Sequence, residues 1–204
     1  MNSKSFLIIF ALIITGFIDL YSQEIPIGIE IGTGAGFNLY DSKTSKYFDN
    51  SFYWSAQFYM YVGNLFIGFG DNSPSSTNND SLFIYKKMHY KNEKLLLNFS
   101  TIVLGYKIYL DRKRIFSIDP YFGLLKTYVQ SNNRKSGYDS RIGYCLGFYI
   151  TRNIKTKLKH FQPYFFFNNR INYSKLSEIN SNLGNFYYNT EFGIAFDWGD
   201  LRNK

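Results

Sequence analysis

Apolar and polar residues alternate along most of the chain after residue 22. The clearest stretch is 52–62, in which every even-numbered residue is apolar and every odd-numbered residue is polar or amphipathic. A period of two is the pattern of a β-strand with two different faces. The dipeptide Gly63-Asn64 follows and predicts a two-residue hairpin turn, which pairs Val62 with Leu65 on the same face.

The same alternation recurs and predicts an all-β protein of eight strands. Strands of roughly 9–11 residues can cross a bilayer when tilted, and the predicted strands are expected to reach that length. The alternating segments are residues 27–32, 52–62, 65–69, 102–110, 117–124, 141–150, 161–173 and 191–198.

Two kinds of connection alternate between the predicted strands. The short or basic ones are 63–64, 111–114 and 152–160, and the longer ones, rich in Asn, Ser, Asp and Lys, are 41–51, 70–94, 130–138 and 174–185. Short turns at one end and long polar loops at the other are typical of outer-membrane barrels. Residues 81–90 are interpreted as a strand extension beyond the membrane, because a further wall strand would make the strand number odd.

The two faces of the predicted strands differ in chemistry. The residues predicted to face lipid are Trp54, Phe58, Ile102, Leu104, Phe122, Leu146, Phe148, Phe192, Ile194 and Phe196. The charges predicted to face the lumen are Glu30, Lys107, Asp119, Arg141, Arg170, Glu191 and Asp197. Three positive and four negative charges nearly cancel, which favours a network of buried ion pairs over a selective pore. A soluble calycin-like barrel that binds a lipid inside is the structural alternative, but inward charges would be costly there.

The turn between the fourth and fifth strands determines one pairing in this lumen. Leu110 and Phe116 share the apolar face, so an odd-length turn over residues 111–115 is predicted. Counting back from that pair places Lys107 directly opposite Asp119. We therefore expect these two side chains to form an ion pair inside the barrel.

The N-terminus has the order of a secretory signal peptide: one charge at Lys4, an apolar run from Phe6 to Ile18, and small or polar residues up to Ser22. The apolar run is too short to span a bilayer as a helix, which takes roughly 20 residues. The sequence thus predicts a signal peptide at 1–22, cleaved after Ser22, and a barrel domain at 23–204. Cys145 is the one cysteine, so no disulfide within the chain is expected.

Composition changes this picture little. Aromatic residues make up 21% of the chain, which suits strands and the membrane–water boundary. The net charge is +8, but the positive residues are scattered through turns and loops. We expect no nucleic-acid partner, and attraction to anionic lipid headgroups explains the charge.

At this level the chain resembles the small eight-stranded outer-membrane barrels of the OmpA/OmpX type. The resemblance covers residues 24–198 and depends on the signal peptide, the glycine-rich inward faces, the strand openings Pro120-Tyr121-Phe122 and Pro163-Tyr164-Phe165, and the aromatic last strand. It implies a closed, antiparallel, up-and-down transmembrane barrel in the outer membrane of a Gram-negative cell envelope. Outer-membrane lipids, lipopolysaccharide and the barrel insertion machinery are the implied partners. The tail 199–204 departs from the terminal aromatic residue of such barrels.

Catalytic chemistry finds little support in the sequence. His89 precedes Tyr90-Lys91 and His160 precedes Phe161-Gln162, so neither has the His-x-Ser pair of outer-membrane lipid A deacylases. No His/Cys cluster suggests a metal, and no cofactor-binding motif stands in its required context. We expect a non-enzymatic protein, structural or interacting through its extracellular loops with a partner that the sequence does not identify. The alternatives are an accessory barrel of an envelope secretion or surface machinery and a lipid-modifying outer-membrane enzyme.

Overall fold

A computed structural model describes residues 27–76, 83–85, 88–90, 95–131, 139–154, 156 and 161–199 of the protein. Within these residues the regular structure is almost all strand, with two short 3-10 helices at Thr44–Lys46 and Leu176–Glu178. Among them, no helix is long and apolar enough to cross a membrane. Eight long strands form the wall of a barrel: β1 (Ile27–Tyr40), β2 (Ser51–Val62), β3 (Leu65–Ser76), β4 (Leu95–Tyr106), β5 (Phe116–Ser131), β6 (Asp139–Asn153), β7 (Phe161–Tyr173) and β8 (Phe186–Gly199).

The wall is closed because every strand pairs with a neighbour on both sides. Consecutive strands pair antiparallel, and β8 pairs back onto β1. Following paired residues around the wall from Glu30 leads back to β1 at Tyr40, ten residues further along. A stagger of this size corresponds to strands tilted by about 40° from the barrel axis. The predicted closed, antiparallel, up-and-down barrel is confirmed.

The strands are longer than the alternating segments suggested. β3 continues to Ser76 across a register shift between Asn72 and Ser75, so the connection predicted to start at residue 70 starts later. Lys107 interrupts β4, which resumes as the short strand Ile108–Tyr109. Inside the segment predicted as a strand extension, Phe83–Tyr85 and Met88–Tyr90 form a two-stranded hairpin that is not part of the described wall.

The predicted turn register is also confirmed. The Leu110 N–H donates to the Phe116 carbonyl at 2.9 Å, which closes the odd-length turn. Ile108 pairs with Ile118, and this register places Lys107 opposite Asp119. We call this end of the barrel, with the turns after β2, β4 and β6, the short-turn end. The opposite end is the loop end.

Successive residues of each strand point to opposite sides of the wall. In β5 the inward Ser117, Asp119 and Tyr121 are buried, whereas the outward Ile118 and Phe122 are exposed. Inward residues are largely polar or aromatic and outward residues are largely apolar. This distribution is the reverse of a soluble barrel, which buries its apolar side chains inside.

The outward apolar residues form a belt with a polar edge at each end. On β5, five successive outward residues starting at Phe116 are apolar, and the sixth is Lys126. Lys126 pairs with Ser100 and Ser100 pairs with Asp71, so one polar row marks the loop-end edge on β3, β4 and β5. Outward Arg152 pairs with Phe116 at the other edge. The strand from Phe116 to Lys126 is about 33 Å long, or about 25 Å along the barrel axis at that tilt.

The lumen at the loop end holds a cluster of apolar side chains, which we call the loop-end core. Residues 41–50 contribute Phe48, and residues 174–185 contribute Leu176 and Leu183. These two connections also bond each other, because the Gly184 N–H donates to Thr44 Oγ1 at 3.0 Å. The loop-end core consists of Tyr40, Phe48, Leu97, Phe99, Leu125, Val129, Leu176, Leu183 and Tyr187.

Candidate functional site in the lumen and at the rims

A buried charge cluster occupies the lumen near the short-turn end. The Lys107 ammonium donates to Glu30 Oε1 at 2.9 Å, and its Nζ lies 3.9 Å from Asp119 Oδ2. All three side chains are almost fully shielded from solvent. The Lys107–Asp119 contact comes from the β4–β5 register, whereas Glu30 reaches Lys107 across the lumen from β1.

Two tyrosines complete this cluster. Tyr61 of β2 donates its hydroxyl to Glu30 Oε2 at 2.5 Å, and Tyr164 of β7 donates to the same oxygen. The Lys107 ammonium also lies 4.4 Å from the centroid of the Tyr61 ring. Neither tyrosine belonged to the predicted group of lumen charges, although the inward parity of Tyr61 placed it in the lumen. Buried charges require this degree of hydrogen bonding to be tolerated.

A second carboxylate, Glu191 of β8, lies near the middle of the lumen and is satisfied by neutral donors. Gln57 Nε2 donates to Oε1 at 2.6 Å, and Asn168 Nδ2 donates to Oε2 at 3.2 Å. Ser55 also donates its hydroxyl to Oε1. Ser55 and Gln57 belong to β2, which does not pair with β8, and Asn168 belongs to β7. Closure of the barrel therefore brings the β2 donors to Glu191.

Arg170 of β7 has a different environment from the one predicted for the lumen charges. Its guanidinium donates to Asn189 Oδ1 from Nη2 at 3.3 Å and to Thr101 Oγ1 from Nη1 at 3.4 Å. Asn189 in turn contacts Asn172 and Asn38. The described bonds of this guanidinium are therefore made to amide and hydroxyl oxygens.

The remaining two predicted lumen charges lie at opposite ends of the barrel. Asp197 is buried and pairs in register with Glu30 at the short-turn end. Arg141 lies at the loop end, where its Nε is 3.3 Å from Glu178 Oε2 and a quarter of its side chain is exposed. Arg141 is close to the start of β6, so it lies too far towards the loop end to contact the other charges. The seven predicted charges thus form separate groups, not one network.

Aromatic side chains fill the lumen between these groups. Tyr59 and Tyr149 contact each other through their hydroxyls, and Tyr121 stacks obliquely on Tyr149 with centroids 5.0 Å apart. Inward glycines make room for the rings, since a Cβ at Gly68 would collide with the Tyr59 ring. A cavity of about 10 Å³ remains beside Arg170, which is space for about one water molecule. Eight-stranded barrels of this size are filled by side chains, and this lumen follows that rule.

The residues predicted to face lipid all project from the outer side of the wall. Trp54, Leu104, Leu146 and Phe192 are each more than half exposed. Ile102, Phe122 and Phe148 are also exposed, and Phe58, Ile194 and Phe196 are half-buried by their outward neighbours. Together they form most of the middle of the belt.

The short-turn rim between β4 and β6 is basic. Arg112, Lys113 and Arg114 are exposed in the turn, and Arg114 adopts a left-handed backbone with φ of 53°. The carboxylate of Asp111 accepts the N–H groups of Phe116 at 2.8 Å and Ile115 at 2.9 Å. These backbone donors, with Phe116 the larger contributor, hold the pKa of the Asp111 carboxyl below its usual value.

Only one of the two histidines belongs to the described residues. His160 lies outside them, and His89 is described only as part of the short hairpin strand Met88–Tyr90. Within the described part of the chain, no three His, Cys, Asp or Glu residues form a group that could hold a metal ion. Cys145 is buried in the lumen wall, where burial suits a small thiol.

Comparison with known proteins finds similarity at the level of structure only. No protein-family model and no curated protein matches the chain. A major outer membrane protein from Thermus thermophilus is similar with a TM-score of 0.51 at 10% identity, over 84% of this chain and 99% of that one. The N-terminal β-barrel domain of Pseudomonas aeruginosa OprF has a TM-score of 0.49 at 10% identity, over 84% and 97%. Neisserial surface protein A has a TM-score of 0.49 at 7% identity, over 84% and 96%.

The similarity to the Thermus protein concerns the fold alone, because only 10% of the aligned residues are identical. It agrees with the closed eight-stranded barrel described above. The predicted resemblance to small outer-membrane barrels is confirmed at the level of fold.

Proposed function

We propose that the protein is a small outer-membrane β-barrel of a Gram-negative cell envelope, non-enzymatic, with a structural role or a role in interactions made by its loops. The observation that carries this proposal is the outward belt, which is about 25 Å tall like the apolar band of such barrels. Lys126 on β5 and Arg152 on β6 mark its two edges there, while charges are buried inside the barrel. A soluble lipid-binding barrel would place its apolar residues inside and its charged residues outside.

The proposal includes an orientation and a processing step. The loop end faces outward from the cell and the short-turn end faces the periplasm, as in barrels with long external loops. Residues 1–22, which lie outside the described residues, act as a signal peptide cleaved after Ser22. Lipids and lipopolysaccharide surround the belt, and the envelope's insertion machinery assembles the barrel.

A non-enzymatic role is supported by what fills the barrel. The described lumen is occupied by hydrogen-bonded charges and tyrosines, and its small cavity offers no room for a substrate. The loop end is folded over a core of its own, in which residues 41–50 and 174–185 are bonded to each other. A fixed surface of this kind suits recognition of a partner by the loops.

Fractionation of the expressing cells tests the proposal. We expect the protein in outer membranes, resistant to carbonate extraction, with a gel mobility that changes on heating because the folded barrel survives detergent. Recovery in the soluble periplasmic fraction would contradict the membrane assignment and favour a lipid-binding barrel. An altered lipid A mass spectrum in a deletion strain would contradict the non-enzymatic role.

A further inference from the structure

We propose that the short-turn rim between β4 and β6 binds the phosphate headgroup of an anionic phospholipid in the leaflet that it faces. The site consists of Arg112, Lys113 and Arg152, and Arg114 adds to the positive charge of the same turn. This inference rests on the proposed membrane location and adds to it a specific lipid contact. The proposed ligand is therefore a lipid of the surrounding bilayer, not a soluble molecule.

First, the fold places these cationic side chains next to each other. Arg112, Lys113 and Arg114 lie in the turn after β4, whereas Arg152 lies near the end of β6. The Asn153 N–H donates to the Ile115 carbonyl at 2.8 Å, and Asn153 Nδ2 donates to the Arg114 carbonyl. The turn is therefore fixed against the end of β6, next to Arg152.

The second support is the depth of Arg152. Its side chain points outward and is exposed, and its guanidinium carbon lies 5.7 Å from the centroid of the Phe116 ring. Its partners across both strand pairs, Phe116 and Phe165, are exposed apolar residues of the belt. An arginine that packs its stem on the lipid-facing wall while its charge stands at the belt edge is at the level of the headgroup phosphates.

The third support is the local charge balance. Asp111 is the acid of this turn, and its carboxylate is directed at the N–H groups of Ile115 and Phe116. The turn residues 111–114 keep a net charge of +2, and Arg152 adds a further positive charge beside them. Clusters of this sign next to a bilayer attract anionic lipids.

The fourth support is preorganisation. The Phe116 ring supports the Arg152 guanidinium on the outer side of the wall, whereas Arg114 packs on Tyr109, which shares the inward parity of Lys107. A guanidinium group held on an aromatic ring, as in Arg152, loses less freedom when it binds a phosphate. Guanidinium groups also match phosphate geometry with paired hydrogen bonds.

The test uses the full-length mature barrel reconstituted in phosphatidylcholine vesicles that contain a minor fraction of spin-labelled phosphatidylglycerol. The measured quantity is the association constant of phosphatidylglycerol at the protein surface relative to that of phosphatidylcholine. We expect Arg152→Gln to lower this ratio by about five-fold, and Arg112→Gln combined with Lys113→Gln to lower it further. Lys43→Gln, which removes the same charge from an exposed position at the loop end, should leave it unchanged.

Each outcome separates this inference from the proposed function. A protein that fails to insert into the vesicles and shows no heat-modifiable mobility would overturn the membrane location itself. A protein that inserts but shows equal ratios for wild type and the rim variants would overturn only the headgroup site, as would an equal loss in Lys43→Gln. Complete competition by inorganic phosphate would assign the rim to a soluble anion and would also overturn the lipid site.

Discussion

Lys107 is the residue on which the charge balance at the short-turn end of the lumen depends. It faces two buried carboxylates, Glu30 at 2.9 Å and Asp119 at 3.9 Å. Replacing Lys107 by Met leaves both carboxylates without this cation in a site with almost no solvent contact. We expect a loss of about 3–5 kcal/mol in the free energy of unfolding, measured by urea titration in lipid vesicles.

The controls distinguish a dry lumen from a wet one. Adding Glu30→Gln to Lys107→Met should recover part of the loss, because the double variant removes one of the two buried negative charges. Lys43→Met at the exposed loop end should have almost no effect. If Lys107→Met were as mild as Lys43→Met, water would have to solvate the cluster, and the buried network would be the wrong description.

Sequence alone predicted part of this residue-scale picture. The Lys107–Asp119 contact follows from strand register, which can be counted along the chain. The shorter contact to Glu30 could not be counted in that way, because β1 and β4 do not pair and meet only across the closed lumen. For the same reason the neutral donors around Glu191 were not predicted, although Ser55 and Gln57 had the inward parity.

At the scale of elements, the turn after β4 is held by the Asp111 carboxylate. Its backbone hydrogen bonds lower the pKa of that carboxyl, so they contribute stability above the pKa of an unfolded Asp, about 3.9. The contribution disappears as the pH falls through the lower folded pKa. We expect Asp111→Ala to lower the urea midpoint at neutral pH, with the difference from wild type shrinking under strongly acidic conditions. Asp111→Asn keeps an acceptor oxygen and should be milder, and a pH-independent difference would contradict this account.

Strand β4 carries a second element-scale prediction, which concerns depth in the bilayer. Leu104 lies in the middle of the belt and is more than half exposed, whereas Ser100 belongs to the polar row beside Lys126. Leu104→Arg should therefore destabilise the inserted barrel by about 2–4 kcal/mol, and Ser100→Arg by about 0–1 kcal/mol. Unfolding in lipid vesicles measures both. Equal losses would mean that the belt edge is not at this row.

At the scale of the whole molecule, two chemically different halves share one wall. Towards the short-turn end the lumen is polar and charged, but at the loop end it holds an apolar core like that of a soluble protein. The alternation predicted the wall because a period of two is visible in sequence. It did not predict the loop-end core, because Phe48, Leu176 and Leu183 are isolated apolar residues in connections without periodicity.

The loop-end core predicts that the two halves open separately. Phe48 is fully buried in the loop-end core, so Phe48→Ala removes packing worth about 3–5 kcal/mol. The loss falls on the contact between residues 41–50 and 174–185, while the paired wall below keeps its hydrogen bonds. Local opening should then become more frequent by a factor on the order of 100 or more.

We expect proteolysis within 41–50 to accelerate in Phe48→Ala while the barrel keeps its heat-modifiable mobility. Phe52→Ala, an outward exposed position at the start of β2, should not change the cleavage rate. Loss of the folded barrel in Phe48→Ala would show instead that the core and the wall unfold as one unit.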